Sequence, residues 1–229
     1  MILAAGLGTR LRPLTDTIPK ALVEVNGQTL LENAIRHLRG NGVNSFIINI
    51  HHFGEQVIDF LAQNRNFGSE IVISDERDRL LDTGGGLKKA EWFFQGNDPF
   101  IVYNVDVISD LDLKRVKEKH LHSKALATLV VRKRITSRYF LFTSGMELCG
   151  WENKSTGERK ITRKGFTDLV ECAFSGIQVL SPAIFPLITE PGKFSLTDLY
   201  LGLSSSQKII GYLDNDSYWK DAGKVQDVF

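Results

Sequence analysis

Two glycines, two arginines and a lysine open this chain in a spacing suited to holding phosphate. The segment runs Leu3-Ala-Ala-Gly6-Leu-Gly8-Thr9-Arg10-Leu-Arg12-Pro13-Leu-Thr15, and Pro19-Lys20 closes it. Gly6 and Gly8 let the main chain approach a phosphate closely and aim N–H groups at it. Arg10 adds a guanidinium that can clamp phosphate oxygens, with Arg12 as a second candidate. Lys20 brings an ammonium to where the chain returns to the loop. Neither common nucleotide motif fits. Leu11 holds the place of the third glycine of a dinucleotide fingerprint, and the G-K-[ST] ending of a P-loop is missing.

Other reactive side chains give weaker patterns. His51-His52 could be a metal pair, but no third ligand lies near in sequence, which favours a structural loop. His120 and His122 fall at the polar C-terminal end of an expected helix, where cations suit the dipole. Cys149 and Cys172 lack metal-ligand spacing and have no adjacent His or Lys to activate a thiolate. Two cysteines are too few for a disulfide scaffold, so a reducing cytoplasm is the expected home. Trp92, Phe93 and Phe94 read as core.

These residues need a scaffold. The chain has 229 residues, 42% hydrophobic and 24% charged, with a formal net charge of +1. That suits one globular domain with a substantial core. Near-neutral charge argues against a dedicated nucleic-acid or membrane-surface binder. The opening MILAAG is too short for a membrane span or a signal-peptide core, and reads as a buried strand running into the glycine loop.

Strands are expected at Leu3–Ala5, Phe46–Ile50, Glu70–Ser74 and Phe100–Val107. Helices are expected between them at Leu30–Leu38, Gln56–Ala62 and Leu87–Phe94, the first capped by Thr29 with Glu32. This alternation implies a mostly parallel sheet with helices on both faces. Asp112 caps a charged helix to about His122. The pattern then turns to strands at Leu126–Val131, Tyr139–Thr143, Glu147–Trp151 and Ala173–Leu180, with a hairpin or mobile loop over Asn153–Lys164. Ser195 and Asp198 cap a last helix to about Leu203, before a strand at Ile209–Leu213. The fold class is α/β, with a β-rich insertion in the second half.

The combination G-x-G-T-R-L-x-P-L-T with P-K-A-L downstream resembles the sugar-phosphate nucleotidylyltransferases, or NDP-sugar pyrophosphorylases. Further segments in the family's order carry the resemblance across the chain. Leu80-Leu-Asp82-Thr-Gly84-Gly85-Gly86 is similar to the family's base-recognition turn, and Asn104-Val105-Asp106 to its metal aspartate. Phe174-Ser-Gly176-Ile177 is similar to its sugar-pocket strand, and Tyr218-Trp-Lys-Asp221-Ala-Gly223 to its second metal aspartate. The nearest look is to the short bacterial branch that includes N-acetylmuramate-1-phosphate uridylyltransferases and mannose-1-phosphate guanylyltransferase-like proteins. Two departures stand out. Val105 replaces the glycine usual before the metal aspartate, and Asn153-Lys154 only approximates the family's Glu-Lys pair.

The resemblance implies a Rossmann-like, GT-A-like domain over 1–229, with a nucleotide-binding half (1–124) and a sugar-phosphate half (125–229). It leaves no room for the C-terminal β-helix that some relatives append. The implied partners are a nucleoside triphosphate and a sugar 1-phosphate. Ala5, Gly6, Gly8, Thr9, Arg10, Gly84, Gly85 and Asn104 would contact the nucleotide, with uridine preferred to guanosine. Gly150, Asn153, Lys154 and Gly176 would meet the sugar phosphate. Such a reaction brings two anions together, so cations matter more than a strong base. Mg²⁺ on Asp106 and Asp221 would neutralise building charge, Arg10 would stabilise leaving pyrophosphate, and Lys20 would bridge the reacting phosphates. The rivals are a choline-phosphate cytidylyltransferase, and a non-catalytic nucleotide-sugar sensor motivated by Val105.

Overall fold

The computed structural model describes residues 1–228. In chain order the first half contains β1 (Ile2–Leu3), β2 (Glu24–Val25), β3 (Gln28–Thr29), α1 (Leu30–Gly40), β4 (Ser45–Ile50), α2 (Gly54–Gln63), β5 (Glu70–Asp75), α3 (Asp82–Lys89), β6 (Phe100–Asn104), β7 (Val107–Ser109) and α4 (Leu113–Ser123). The second half contains β8 (Ala127–Arg132), β9 (Arg138–Phe142), β10 (Leu148–Asn153), β11 (Glu158–Ile161), β12 (Val170–Leu180), α5 (Leu196–Leu203), β13 (Ile209–Leu213) and β14 (Trp219–Asp221).

The central strands lie in the order β5-β4-β1-β6-β12-β8-β13. All but β12 share one direction. The fold is therefore a mixed, mostly parallel α/β sheet of Rossmann-like type. β12 also carries the β-rich insertion. Its first residues pair with β9, which continues into the antiparallel β10 and β11, and its last residues pair with β6. The register shifts between Phe174 and Gln178, around Gly176 at φ +78°, a left-handed conformation that glycine adopts without strain.

Burial follows from being covered on both faces. Ile2, Phe46, Ile48 and Tyr103 enter one core with the apolar stripe of α1 (Leu31, Ala34, Ile35, Leu38). Leu3, Ile47 and Val102 enter the other with Leu87 of α3 and Leu199 of α5. The chain goes from β1 outward to β4 and β5, then returns to place β6 on the other side of β1. That reversal opens a crevice beyond the C-terminal ends of β1 and β6, where open α/β sheets bind ligands.

Several local expectations change. Helix α3 starts at Asp82, so Gly84–Gly86 sit inside a helix and not in a loop before it. The expected helix Leu87–Phe94 shrinks to the end of α3 and one 3-10 turn at Glu91–Phe93. The strand expected over Phe100–Val107 breaks at Val105-Asp106. Asn153–Lys164 holds the turn and second strand of the β10–β11 hairpin. Thr29 Oγ1 accepts the Glu32 N–H at 3.1 Å, but the Glu32 carboxylate turns to Arg36 at 2.7 Å, leaving half a capping box. Phe93 and Phe94 pack on the core while Trp92 is exposed.

His120 is corrected most sharply. It is buried, with Nδ1 bonded to Thr128 Oγ1 at 2.9 Å across β8, and burial pulls its imidazole down to about 4 from 6.5. It is a neutral core residue, not a cation on the helix dipole. A lowered folded-state value contributes stability that is complete above 6.5 and is lost as pH falls toward 4, by up to about 3 kcal/mol. The unfolding free energy of wild type minus that of His120→Gln should therefore shrink as urea titrations move from pH 7 to pH 4. A difference constant over that range would remove this account.

Candidate active site where two clefts meet

The glycine loop is shaped by contacts with its own downstream turn. Gly8 has φ +65°, and a Cβ there would stand 2.8 Å from Thr15 Cγ2 and 3.0 Å from Lys20 Cβ. Thr15 Oγ1 donates to Gly8 O at 2.8 Å, which locks the turn. Lys20 is thereby set against the start of the loop. Its ammonium forms an ion pair with Asp106 Oδ2, both side chains being nearly buried. Arg10 Nη2 lies 3.9 Å from the same oxygen. Arg12 instead pairs with Asp16 at 3.3 Å on the exposed side of the loop and does not join this group.

Asp106 sits in the break between β6 and β7. Its carbonyl accepts the Ala222 N–H at 2.8 Å, and β7 pairs with β14, which ends in Asp221. The two carboxylates converge beside Gly223. A Cβ on that residue would lie 2.7 Å from Asp221 Oδ1, 2.7 Å from Arg10 Nη2 and 3.0 Å from Asp106 Oδ2. Val105 turns its side chain into the core and leaves the cleft side clear.

Two clefts open on this cluster. The first, of about 460 Å³, is lined by Ala5, Gly6, Gly8, Thr9, Arg10, Lys20, Asn104 and Asp106. Leu80, Asp82 and Thr83 of the segment expected to recognise the base also line it, together with three residues that the sequence did not single out: Asn49, Glu76 and Lys193. Of those three only Asn49 carries a local signal, as the polar residue that interrupts the apolar run of β4. Its Oδ1 accepts the Ala4 N–H at 2.7 Å and its Nδ2 donates to Glu76 Oε1 at 2.8 Å, while Glu76 Oε2 accepts the Leu81 N–H at 3.1 Å. Burial raises the Glu76 pKa against the opposing pull of these bonds. This relay ties the ends of β1, β4 and β5 to the entry of α3.

The second cleft, of about 830 Å³, is lined by Arg10, Arg134, Arg138, Asn153, Asp221 and Lys224, with Trp151, Phe140 and Phe174 as aromatic walls. Arg10 borders both clefts, and each holds one of the two aspartates.

Five expected contacts stand apart from the clefts. The N–H groups of Gly84 and Gly85 both donate to Phe194 O, at 2.9 and 3.3 Å, so the 192–194 segment takes up the backbone donors expected to face a base. Gly150 packs in β10, where a Cβ would stand 2.3 Å from Lys160 O. Lys154 pairs with Glu171 and, at 3.5 Å, with Glu152, over the Tyr139 ring at 4.8 Å. Gly176 packs on the back of Asn104. His51 and His52 also separate: His51 Nδ1 bonds Glu76 O at 2.6 Å, and His52 lies tilted against the Phe53 ring. Among the described residues no group of three or more His, Cys, Asp or Glu could hold a metal. The Asp106–Asp221 pair does suit Mg²⁺, which commonly takes one or two carboxylates and completes its shell with substrate phosphates and water. Among the described residues no helix is long and apolar enough to cross a membrane.

The sequence matches the nucleotidyl transferase family over residues 1–145. It is 32% identical to an N-acetylmuramate alpha-1-phosphate uridylyltransferase from Caulobacter vibrioides, over 99% of this chain and 92% of that protein. It is 28% identical to a UTP–glucose-1-phosphate uridylyltransferase from Synechocystis, over 99% of this chain but 60% of the relative's length. The fold superposes on HddC from Yersinia pseudotuberculosis complexed with GMP-PN, with a TM-score of 0.77 at 24% identity, covering 99% of this chain and 94% of that one.

Gly85 gives a direct check on the packing. Alanine is favoured over glycine inside a helix by about 1 kcal/mol, yet a Cβ here would lie 2.2 Å from the backbone oxygen of Gly192. Gly85→Ala should lose about 1–3 kcal/mol in urea unfolding. A neutral or stabilising result would show that the 192–194 segment yields freely.

Proposed function

The chain belongs to the nucleotidyl transferase family, and from that premise we propose that it transfers a nucleoside monophosphate from a triphosphate to a sugar 1-phosphate. A phosphate oxygen of the sugar attacks the α-phosphorus, the bond to the β-phosphate breaks, and pyrophosphate leaves with a nucleotide sugar as the other product. The observation that carries this reading is the convergence of Arg10, Lys20, Asp106 and Asp221 where the two clefts meet.

The first cleft suits the triphosphate, with the backbone of Ala5, Gly6 and Gly8 along it and Arg10 at its inner end. The second suits the acceptor. Reaction between two anions is slow chiefly through repulsion and misalignment, and both are reduced when fixed cations hold the partners in line. Arg10, on the border, is placed to stabilise charge on the leaving pyrophosphate, and Lys20 to bridge the reacting phosphates. A Mg²⁺ held by Asp106 and Asp221 would supply further charge neutralisation at the phosphate oxygens. Asn104 stands near enough to the loop to contact the nucleoside.

UTP is the favoured donor, in keeping with the uridylyltransferase relatives, and GTP the second. A hexose-type acceptor fits the aromatic walls and the hydroxyls of Thr136, Ser137, Ser155 and Thr197. The product would feed wall, capsule or other glycan synthesis in the cytoplasm. A choline phosphate acceptor is disfavoured because Arg134, Arg138 and Lys224 would repel its trimethylammonium group. The sensor reading loses its motive, since Val105 is core and does not crowd the cleft.

Pyrophosphate release over four triphosphates and glucose, mannose and N-acetylmuramate 1-phosphates tests the reading. Wild type should release pyrophosphate with at least one pair and stop on addition of EDTA. Asp106→Asn should lose turnover on the order of 100-fold or more while still binding the triphosphate. Wild type silent with every pair would sink the proposal.

A further inference from the structure

Two arginines near the end of β8 stack on the same indole, and one of them lacks a carboxylate. The guanidinium carbons of Arg132 and Arg134 lie 5.1 and 4.7 Å from the Trp219 ring centroid. Arg132 is spoken for: its Nη2 donates to Asp214 Oδ2 and to Ser217 O, each at 3.0 Å. Arg134 donates from Nη2 to the Phe174 carbonyl at 3.2 Å. It forms no ion pair among the described residues, its Nε is buried without a partner, and its side chain lines the second cleft. Burial lowers its pKa, and the charge of Asp221 partly restores it.

A half-buried cation without an anion is costly, and the cost is relieved when a ligand supplies the anion. The position says which anion. Trp219 and Asp221 are two residues apart on β14 and share a face of the strand. The stacked guanidinium therefore stands roughly 7 Å along the strand from the Asp221 position, at the end of the acceptor cleft next to the reacting centre. Arginine laid on an aromatic face and pinned through Nη2 has its plane fixed, which leaves Nη1, neither bonded nor buried, to meet phosphate oxygens in a set orientation. Lys154, which the family resemblance nominates for the sugar phosphate, is instead neutralised by Glu171 and Glu152.

We infer that Arg134, held by Trp219 and the Phe174 carbonyl, binds the phosphate of the acceptor, and that Lys154 does not. The inference rests on the proposed reaction for the identity of that phosphate. Arg134 is thus a substrate-binding residue that sets acceptor affinity without touching the triphosphate.

Steady-state kinetics with the best donor and the best acceptor of the panel separate the roles. Arg134→Met should raise the acceptor KM about tenfold or more and leave the triphosphate KM within twofold. Arg134→Lys should recover only part of the loss, because an ammonium has the charge but neither the fork nor the stack. Lys154→Met should leave the acceptor KM within twofold. An unchanged acceptor KM in Arg134→Met, an equal rise in both KM values, or a loss that follows Lys154 would overturn the inference. Should Arg134→Met fail to fold, Arg134→Lys decides by the same measure. Wild type inactive with all pairs would remove the reaction but not the binding test. Calorimetry with glucose 1-phosphate and glucose then decides, expecting wild type to prefer the phosphate ester at least about tenfold and Arg134→Met to lose that preference. Equal or undetectable binding of the two by wild type overturns it.

Discussion

The ion pair between Lys20 and Asp106 holds the proposed reaction centre together. It joins the loop after β1 to the break after β6, and those strands are neighbours at the point where the sheet reverses its order. Taking a carboxylate and an ammonium largely out of water is expensive, and the pair is tolerable only because each supplies the other's charge. Without Asp106 the lysine would face Arg10 with no anion between them. Without Lys20 and Arg10 the two aspartates beside Gly223 would repel. The arrangement is balanced in charge before any ligand arrives. Under the proposed reaction, incoming phosphates and a divalent cation replace one set of charges with another, and the backbone need not move to accommodate them.

A second tie lies beneath the first. Asn49 and Glu76 join the ends of β1, β4 and β5 to α3 through hydrogen bonds that satisfy buried backbone donors at Ala4 and Leu81. The fully buried carboxylate is a high-stakes group, since an unpaired polar atom at that depth is costly. Gly86 packs directly against it, a Cβ there meeting Glu76 Oε1 at 2.7 Å. The three glycines of α3 are therefore explained by close packing on both sides, Glu76 on one and the 192–194 segment on the other. Their value lies in letting the helix approach the sheet.

How much of this was legible in the sequence depends on how local each cause is. β4, β13 and the capped helices α1, α4 and α5 follow from apolar runs and from Thr29, Asp112 and Ser195, all local features, and their ends were found within a residue or two. The start of α3 is hidden because Gly84–Gly86 are poor helix formers, and the distant Phe194 carbonyl that accepts from Gly84 and Gly85 leaves no local trace. Nothing near His120 in sequence announces that Thr128 of β8 will face it. The short strands β7 and β14, three residues each, need each other and are too short to show a period of their own. At the site, Arg10, Lys20, Asp106 and Asp221 stood out through motif spacing. Lys193, Glu76 and Arg134 reach the clefts from elements whose meeting only the fold decides.

Arg132 and Arg134 show why spacing alone could not separate structural from functional charge. Both stand in the basic run Arg132-Lys133-Arg134, both stack on Trp219, and by composition they are equivalent. What differs is a carboxylate 82 residues away: Asp214 reaches Arg132 and not Arg134. The same indole donates its N–H to Ser175 O at 2.8 Å, fixing β14 against β12, and β14 brings Asp221 toward Asp106 two residues later. One three-residue strand therefore sets both the second carboxylate and the aromatic face on which the unpaired guanidinium rests. The second cleft and the Asp106–Asp221 cluster share a support, so any change that tilts Trp219 must be felt at both.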